Sequence, residues 1–262
     1  MKDQVIWITG ASSGIGEALA RRISGSGAKL ILSARDRDEL FRVKELCGGN
    51  PMNIHVHPLD LEDTPSLPAK AAEAERMFGR IDLIIHSGGV SQRSLALETR
   101  LEVAQKIMNI NFWGTVALTQ AVLPGMLARK KGHVVVVSSL VGKFGTRLRS
   151  AYSASKHALH GYFESLRCEI SEREVRITLV CPGFIRTRLS FNALTADGER
   201  QDRMDDAQEH GMSPEECAEK ILEAIRNGSE EVLIGGKETY AVLFKRFFPG
   251  LFSRKIRKAK VT

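Results

Sequence analysis

Val5-Ile6-Trp7-Ile8-Thr9-Gly10-Ala11-Ser12-Ser13-Gly14-Ile15-Gly16 passes from an apolar run into three closely spaced glycines. A helical pattern follows at once in Glu17-Ala18-Leu19-Ala20-Arg21-Arg22-Ile23. The apolar run reads as a buried strand, and the whole stretch as strand, glycine turn and helix. That context leaves backbone N–H groups at a helix N-terminus free to receive a pyrophosphate. The glycines remove side chains where the phosphates must approach. Their spacing is Gly-x-x-x-Gly-x-Gly, not the Gly-x-Gly-x-x-Gly of the common dinucleotide fingerprint. The plain alternative is a glycine-rich turn that binds nothing.

The alternation continues along the chain. Short apolar runs at 30–33, 54–57, 83–86, 134–138, 177–181 and 232–234 read as strands. The stretches 39–46, 65–78, 101–128, 151–172 and 214–226 read as helices. Strands that are apolar throughout are covered on both faces, so the predicted fold is α/β, a Rossmann-type doubly wound parallel sheet with helices on both sides. Ser213-Pro214-Glu215-Glu216 carries a cap, a proline at the first helical position and a capping-box glutamate. No internal repeat or linker divides the chain. One domain is expected over 1–236, with 237–262 as a basic, phenylalanine-rich extension of it. The polar stretch 188–212 follows a strand end, where ligands of such sheets bind, and is a candidate substrate lid.

Composition fits one α/β domain: 262 residues at 43% apolar content can bury a substantial core. No apolar run spans a bilayer, and no secretory signal is read at the N-terminus. Cys47, Cys168, Cys181 and Cys217 show no metal-type spacing. Reduced thiols in a cytoplasmic protein are the simplest expectation, and no metal site is expected.

Chemistry is concentrated in Ala151-Tyr152-Ser153-Ala154-Ser155-Lys156. Four residues make about one helical turn, so the phenol and the ammonium share a face. A neighbouring cation favours phenolate, and the expectation is that Lys156 pulls the Tyr152 pKa down. A tyrosine tuned in this way can exchange protons near neutral pH. Alone, the spacing is also that of an ordinary surface pair.

Thr9-Gly10-x-x-x-Gly14-Ile15-Gly16, Asn111, Ser139, Tyr152-x-x-x-Lys156 and Pro182-Gly183, in this order, resemble the short-chain dehydrogenase/reductases over about residues 5–235. The string Gly88-Gly89-Val90-Ser91-Gln92-Arg93-Ser94-Leu95 and the tail are most similar to the dehydrogenase/reductase 7 and 7B group. The resemblance implies a hydride transfer between a nicotinamide and a carbonyl or alcohol. It implies that Ser139 holds the substrate oxygen and Tyr152 exchanges a proton with it. Lys156 would tune the tyrosine and hydrogen-bond the nicotinamide ribose, and Asn111 would position a water linking Lys156 to solvent. Ser138 and Asn109 are the alternatives to Ser139 and Asn111; the spacing to Tyr152 favours Ser139.

The cofactor set implied by the resemblance is Gly10, Ser12, Ser13, Gly14, Ile15 and Gly16 in the first turn, with Asp60 and Leu61 at the adenine. It continues through Ser87 and Gly88, Tyr152 and Lys156, then Pro182, Gly183, Ile185 and Thr187 at the nicotinamide carboxamide. NAD-binding relatives hold the ribose 2′-OH with an acidic side chain after the second strand. Here Ala34 and then Arg35 occupy that region, leaving room for a 2′-phosphate and supplying a planar cation, so NADP(H) is implied. Arg37 and Ser12 would assist; Asp36 would repel the phosphate if it pointed inward. One motif departs from the family: His86-Ser87-Gly88-Gly89 stands where relatives carry Asn-Asn-Ala-Gly. His86 is expected to be a strand-end residue, and His157 and His160 to face a subunit neighbour or solvent.

The tail carries Lys245, Arg246, Arg254, Lys255, Arg257, Lys258 and Lys260, about the whole formal charge of +7. Phe244, Phe247, Phe248, Leu251, Phe252 and Ile256 alternate with these cations. Peripheral contact with a membrane surface is one reading. Packing of the rings over the substrate cleft or a second subunit is the other. Pro249-Gly250 breaks any single long helix here. Nucleic acid is not expected, because no nucleic-acid fold accompanies the charge. The resulting expectation is an NADP(H)-dependent oxidoreductase for a hydrophobic carbonyl/alcohol substrate, lipid-, steroid- or retinoid-like. A homodimer or homotetramer through helices 101–128 and 151–172 accompanies it. The alternatives are a 3-oxoacyl-carrier-protein reductase and a non-catalytic NADP-binding sensor or scaffold.

Overall fold

The structure, a computed structural model, describes residues 1–171 and 174–259. Glu172, in the expected helix 151–172, and Lys260 of the tail lie outside the described residues. The elements run β1 (Val5–Thr9), α1 (Gly14–Ser24), β2 (Lys29–Ser33), α2 (Arg37–Leu46), β3 (Ile54–Val56), α3 (Leu67–Phe78) and β4 (Leu83–His86). They continue with α4 (Leu101–Met108), α5 (Gly114–Ala128), β5 (Gly132–Val137), α6 (Ser150–Glu169), β6 (Val175–Pro182), α7 (Asp206–Glu209) and α8 (Pro214–Asn227). Last come β7 (Glu231–Ile234), α9 (Tyr240–Phe247) and α10 (Pro249–Ile256). Seven parallel strands form one sheet in the order β3-β2-β1-β4-β5-β6-β7. The order reverses between β1 and β4, and the crevice beyond their C-terminal ends is where such sheets bind ligands.

Each buried strand serves two cores because its side chains alternate between faces. On one face Trp7, Ile31, Ile84, Val134 and Ile177 meet Ala71 of α3, Leu118 of α5 and Phe163 of α6. On the other, Ile6, Ile8, Leu30, Leu32, Ile85 and Val135 meet Leu19 of α1, Leu40 of α2 and Ile221 of α8. This two-sided burial is why the strands read as unbroken apolar runs rather than as alternating patterns. Ser213 caps α8, its hydroxyl accepting from the Glu216 N–H at 3.1 Å.

Several expectations change in the structure. The helix expected over 101–128 is interrupted by a π-helical turn at Asn109–Trp113, where the extra residue per turn rotates Asn111 into the core. The stretch 188–212 contains only the short α7 but is anchored: Leu194 bridges to Gln92, and Ser190 and Asp205 are buried. His160 does not face solvent. It is buried, with Nε2 3.6 Å from Cys181 Sγ and Nδ1 3.5 Å from carboxylate oxygens of both Glu164 and Glu231. His157 is exposed.

The tail divides. Phe244 and Phe252 turn inward, Phe252 stacking edge-on against Phe144 with ring centroids 5.3 Å apart. Tyr240, Leu243, Phe247, Phe248 and Leu251 remain exposed. Among the described residues no helix is long and apolar enough to cross a membrane.

His86 ends β4 fully buried, its Nε2 3.0 Å from the Thr119 hydroxyl on α5. It thereby ties strand to helix. Burial holds its pKa down at about 3, against an ordinary 6.5. The folded value lies below the unfolded one, so the unfolded chain takes up the proton first. Stability is therefore complete above 6.5 and falls as the pH drops toward about 3. At pH ~5 this one group removes about 2 kcal/mol. His86→Asn, which cannot be charged, should lose roughly that much less stability between pH 7 and pH 5. Urea unfolding at the two pH values checks this; equal losses in both proteins would refute it.

Candidate active site

Backbone contacts between glycines build the floor of the crevice. Gly10 has φ +67°, and a Cβ there would lie 2.6 Å from the Gly88 backbone. A Cβ on Gly88 would meet Leu61 Cδ1 at 2.6 Å, so the loops after β1, β3 and β4 close on one another. A Cβ on Gly14 would lie 3.0 Å from Thr187 Cγ2, which sets the segment after β6 opposite the first turn. Ser13, at the N-cap of α1, makes no side-chain capping bond. The first N–H groups of that helix thus keep their capacity for an anion. Thr9 Oγ1, beside Gly88, is buried and has no hydrogen-bond partner among the described residues. A dinucleotide pyrophosphate fits this cradle: it is lined by backbone, uncapped, and closed to any added Cβ.

Arg35 is exposed at the end of β2 and has no ion pair among the described residues. Asp36 does not oppose it: its carboxylate caps α2, accepting from the N–H groups of Asp38 and Glu39 at 3.1 Å each. Arg37 lies over the Phe41 ring, and the Ser12 carbonyl accepts from Arg42 at 3.2 Å. Asp60 closes its own turn, accepting from the Glu62 N–H at 3.0 Å. Ser87 donates its N–H to the Thr9 carbonyl at 3.2 Å, and Ile15 and Ile185 pack into the core beneath the loops.

Ser139, Tyr152, Lys156 and Asn111 converge at the ends of β4 and β5. Ser139 donates to the Pro182 carbonyl at 3.4 Å, next to Gly183, and its hydroxyl draws the Tyr152 phenol pKa down. Lys156 is buried and donates to the Val137 carbonyl at 2.9 Å. A Cβ on Gly89 would lie 3.0 Å from Asn111 Oδ1 and 3.6 Å from Lys156 Nζ, so the glycine brings the loop close to both side chains. Asn111 accepts from the Val90 N–H at 2.8 Å and donates to the Val90 carbonyl at 2.9 Å and to Ser155 Oγ at 3.0 Å. Its amide thereby staples the β4 loop to α6.

The electrostatics differ from the sequence expectation. Burial pushes the Tyr152 phenol up; the Ser139 hydrogen bond and the guanidiniums of Arg149 and Arg93 pull it back down. Lys156, with Nζ 5.8 Å from the Tyr152 ring centre, directs its ammonium at the backbone beneath. Burial lowers Lys156 itself to about 8. The shared helix face holds: the ammonium stays over the Tyr152 ring while its hydrogen bond goes to the sheet carbonyl.

Several contributing residues carried no sequence signal of their own. Gln92 Oε1 accepts from the Ala151 N–H at 2.8 Å and so seats the first turn of α6. Glu238 accepts from the Phe184 N–H at 3.3 Å and braces the turn after Gly183. Arg93 and Arg149 share the Asp205 carboxylate. Gln92 and Arg93 stand in a loop after a buried strand, a place where polar residues that ligands or helices need collect.

Residues 4–197 match the family described as short chain dehydrogenase. The chain belongs to the short-chain dehydrogenases. It is an oxidoreductase of the kind that acts on CH–OH groups. It is 43% identical over 239 residues to the dehydrogenase/reductase SDR family protein 7-like of Anopheles gambiae, covering 89% of this chain and 75% of that protein. To the dehydrogenase/reductase SDR family member 7B of Mus musculus it is 39% identical over 272 residues, covering 99% and 84%. Among solved structures, a metagenomic short-chain oxidoreductase in complex with NADP superposes with a TM-score of 0.73 at 28% identity, covering 89% of this chain and 97% of that one.

Asn111→Ala in this short-chain dehydrogenase would leave the Val90 N–H and carbonyl without their partner, while the Ser155 hydroxyl keeps its bond to the Tyr152 carbonyl at 2.8 Å. A loss of about 2–3 kcal/mol is expected in denaturant unfolding. A change below ~0.5 kcal/mol would show that the staple carries no load.

Proposed function

We propose that this protein is an NADP(H)-dependent oxidoreductase that interconverts a carbonyl and a secondary alcohol of a hydrophobic substrate, with Tyr152 as general acid/base. The observation that carries the reading is the convergence of Ser139, Tyr152, Lys156 and Asn111 on one edge of a glycine-lined, uncapped dinucleotide cradle. A non-catalytic binder has no need of that convergence.

The unopposed Arg35, with Asp36 withdrawn into a helix cap, favours a 2′-phosphate over a bare ribose hydroxyl. The NADP-bound relative supports the same choice. When bound, the nicotinamide would give or take the hydride. Ser139 would donate a hydrogen bond to the substrate oxygen and orient it. In reduction Tyr152 passes its phenolic proton to that oxygen; in oxidation it takes the proton away. Ser139 and the Arg149 and Arg93 guanidiniums favour the phenolate side of this exchange against the opposing effect of burial. Lys156, already low at about 8, can hold or release a proton near neutral pH beneath the site. Val141 after Ser139 and Phe184 after Gly183 are partly exposed apolar side chains next to the converging groups, which suits an apolar substrate.

Purified protein tested with NADPH against a panel of aldehydes and ketones, steroid, retinoid and long-chain substrates included, should turn over the apolar ones faster. Tyr152→Phe should lower the rate by about 10³-fold or more. Faster turnover of short polar carbonyls would overturn the substrate class. Exclusive turnover of carrier-bound 3-oxoacyl groups would substitute the carrier-protein reductase reading, and binding without any turnover would favour the sensor. Arg35→Ala should weaken NADPH binding by about tenfold or more and leave NADH within about twofold, because it removes a charged pair that only the phosphate makes. Calorimetric titration of both nucleotides decides this.

A further inference from the structure

The stretch 188–205 is fastened to the catalytic helix by charge. Leu194 donates its N–H to the Ser91 carbonyl at 2.9 Å and accepts from the Arg93 N–H at 2.8 Å, so the segment runs beside the loop after β4. Farther along, Asp205 points inward, its side chain only 2% exposed. Arg93 Nε donates to its two oxygens at 2.9 and 3.2 Å, and Arg93 Nη2 donates to it as well. Arg149 Nη2 donates to the same carboxylate at 3.0 Å. Arg149 is the residue just before α6 and lies three residues before Tyr152. Arg93 Nη1 is held by Ser91 Oγ at 2.8 Å, and Gln201 donates to Asp205 at 3.4 Å. Three elements distant in sequence thus meet in one buried ionic cluster at the start of α6, one helical turn before Tyr152.

We propose that Arg93, Asp205 and Arg149 are positioning residues for the reaction: they strap the 188–205 segment to the catalytic helix and hold guanidinium charge against the Tyr152 phenol. Burying such a cluster is costly, and apolar residues of the same volume would hold the segment as well or better. Control of charge one helical turn from a titrating group gives the cluster a use beyond the clasp. Arg149 and Arg93 are the charged groups that draw Tyr152 toward phenolate, a part first expected of Lys156. The groups that bear on the phenol are Arg149 and Lys156 from α6 and its start, Ser139 from the loop after β5 and Arg93 from the loop after β4; Asp205 from the strap reaches it only through the two guanidiniums it pairs. The importance of the cluster rests on Tyr152 being the proton-transfer group proposed above, but its test does not.

The chain has three tyrosines. In a Tyr162→Phe/Tyr240→Phe background, ring-labelled Tyr152 can be titrated alone by NMR, with neither cofactor nor substrate. Arg93→Gln and Arg149→Gln should each move the titration to higher pH, and Asp205→Asn to lower pH, by about half a pH unit or more. Arg93→Lys, which keeps the charge, should leave it within about 0.3 unit. Asp205→Asn should also speed tryptic cleavage after Arg200 and Arg203. Shifts of one sign in all variants, or none, overturn the proposal. If Asp205→Asn does not fold, the two Arg→Gln variants decide, and an unmoved titration in either overturns it. Failure here leaves carbonyl turnover untouched, and absence of turnover leaves the titration untouched.

Discussion

Lys156 is a cation held almost wholly out of water, and much of the site is arranged around that cost. Its ammonium has one backbone carbonyl, that of Val137, at 2.9 Å, and burial has already brought it down to about 8. Taking a charge into such surroundings is tolerated only where neighbours are fixed dipoles in good geometry. The end of β5 supplies the carbonyl, Gly89 clears the space beside it, and Asn111 locks the loop that carries Gly89. The π-helical turn at Asn109–Trp113 follows from the same need, because it brings Asn111 into the core between the β4 loop and α6.

The sheet explains why these groups meet at all. Reversal of strand order between β1 and β4 opens a crevice at their C-terminal ends, and every loop that enters it comes from a strand buried on both faces. The loops approach backbone to backbone at Gly10 and Gly88, a distance that leaves no room for side chains. The scaffold is therefore rigid where the phosphates of a dinucleotide would lie. His86 adds to that rigidity in its own way, with an imidazole bonded to Thr119 in place of the amides expected from the family. Its dependence on staying neutral is the corresponding weakness at acid pH.

The segment after β6 gives the site its own character. The polar, weakly patterned stretch 188–212 is carried by Asp205 into a buried cluster with Arg93 and Arg149. Fastened in this way, the segment is joined to the start of α6, one helical turn before Tyr152. The tail is divided in a comparable manner: Phe252 and Phe244 extend the core next to Leu140, immediately after Ser139, while Phe247, Phe248 and Leu251 stay on the outer surface.

Local rules made much of this molecule legible in the chain itself. Unbroken apolar runs, a glycine turn before a helix, and a Tyr-x-x-x-Lys face are short-range patterns, and they determined the parallel two-sided sheet, the tight first turn and the shared helix face of Tyr152 and Lys156; Ser139 and Asn111 are identified only through the family resemblance. The cap at Ser213 belongs to the same class, being written within four residues. What tertiary structure decided is everything that depends on which distant groups share a buried volume. Nothing near Lys156 in sequence says that its ammonium turns to Val137, or that Arg93 and Arg149 influence the phenol instead. Likewise nothing around Asp205 says that it is buried, and nothing around His160 says that it leaves solvent for Cys181 and two carboxylates. Periodicity reports which face is apolar, but the energy of a charge is set by its whole surroundings, and only the folded chain assembles those.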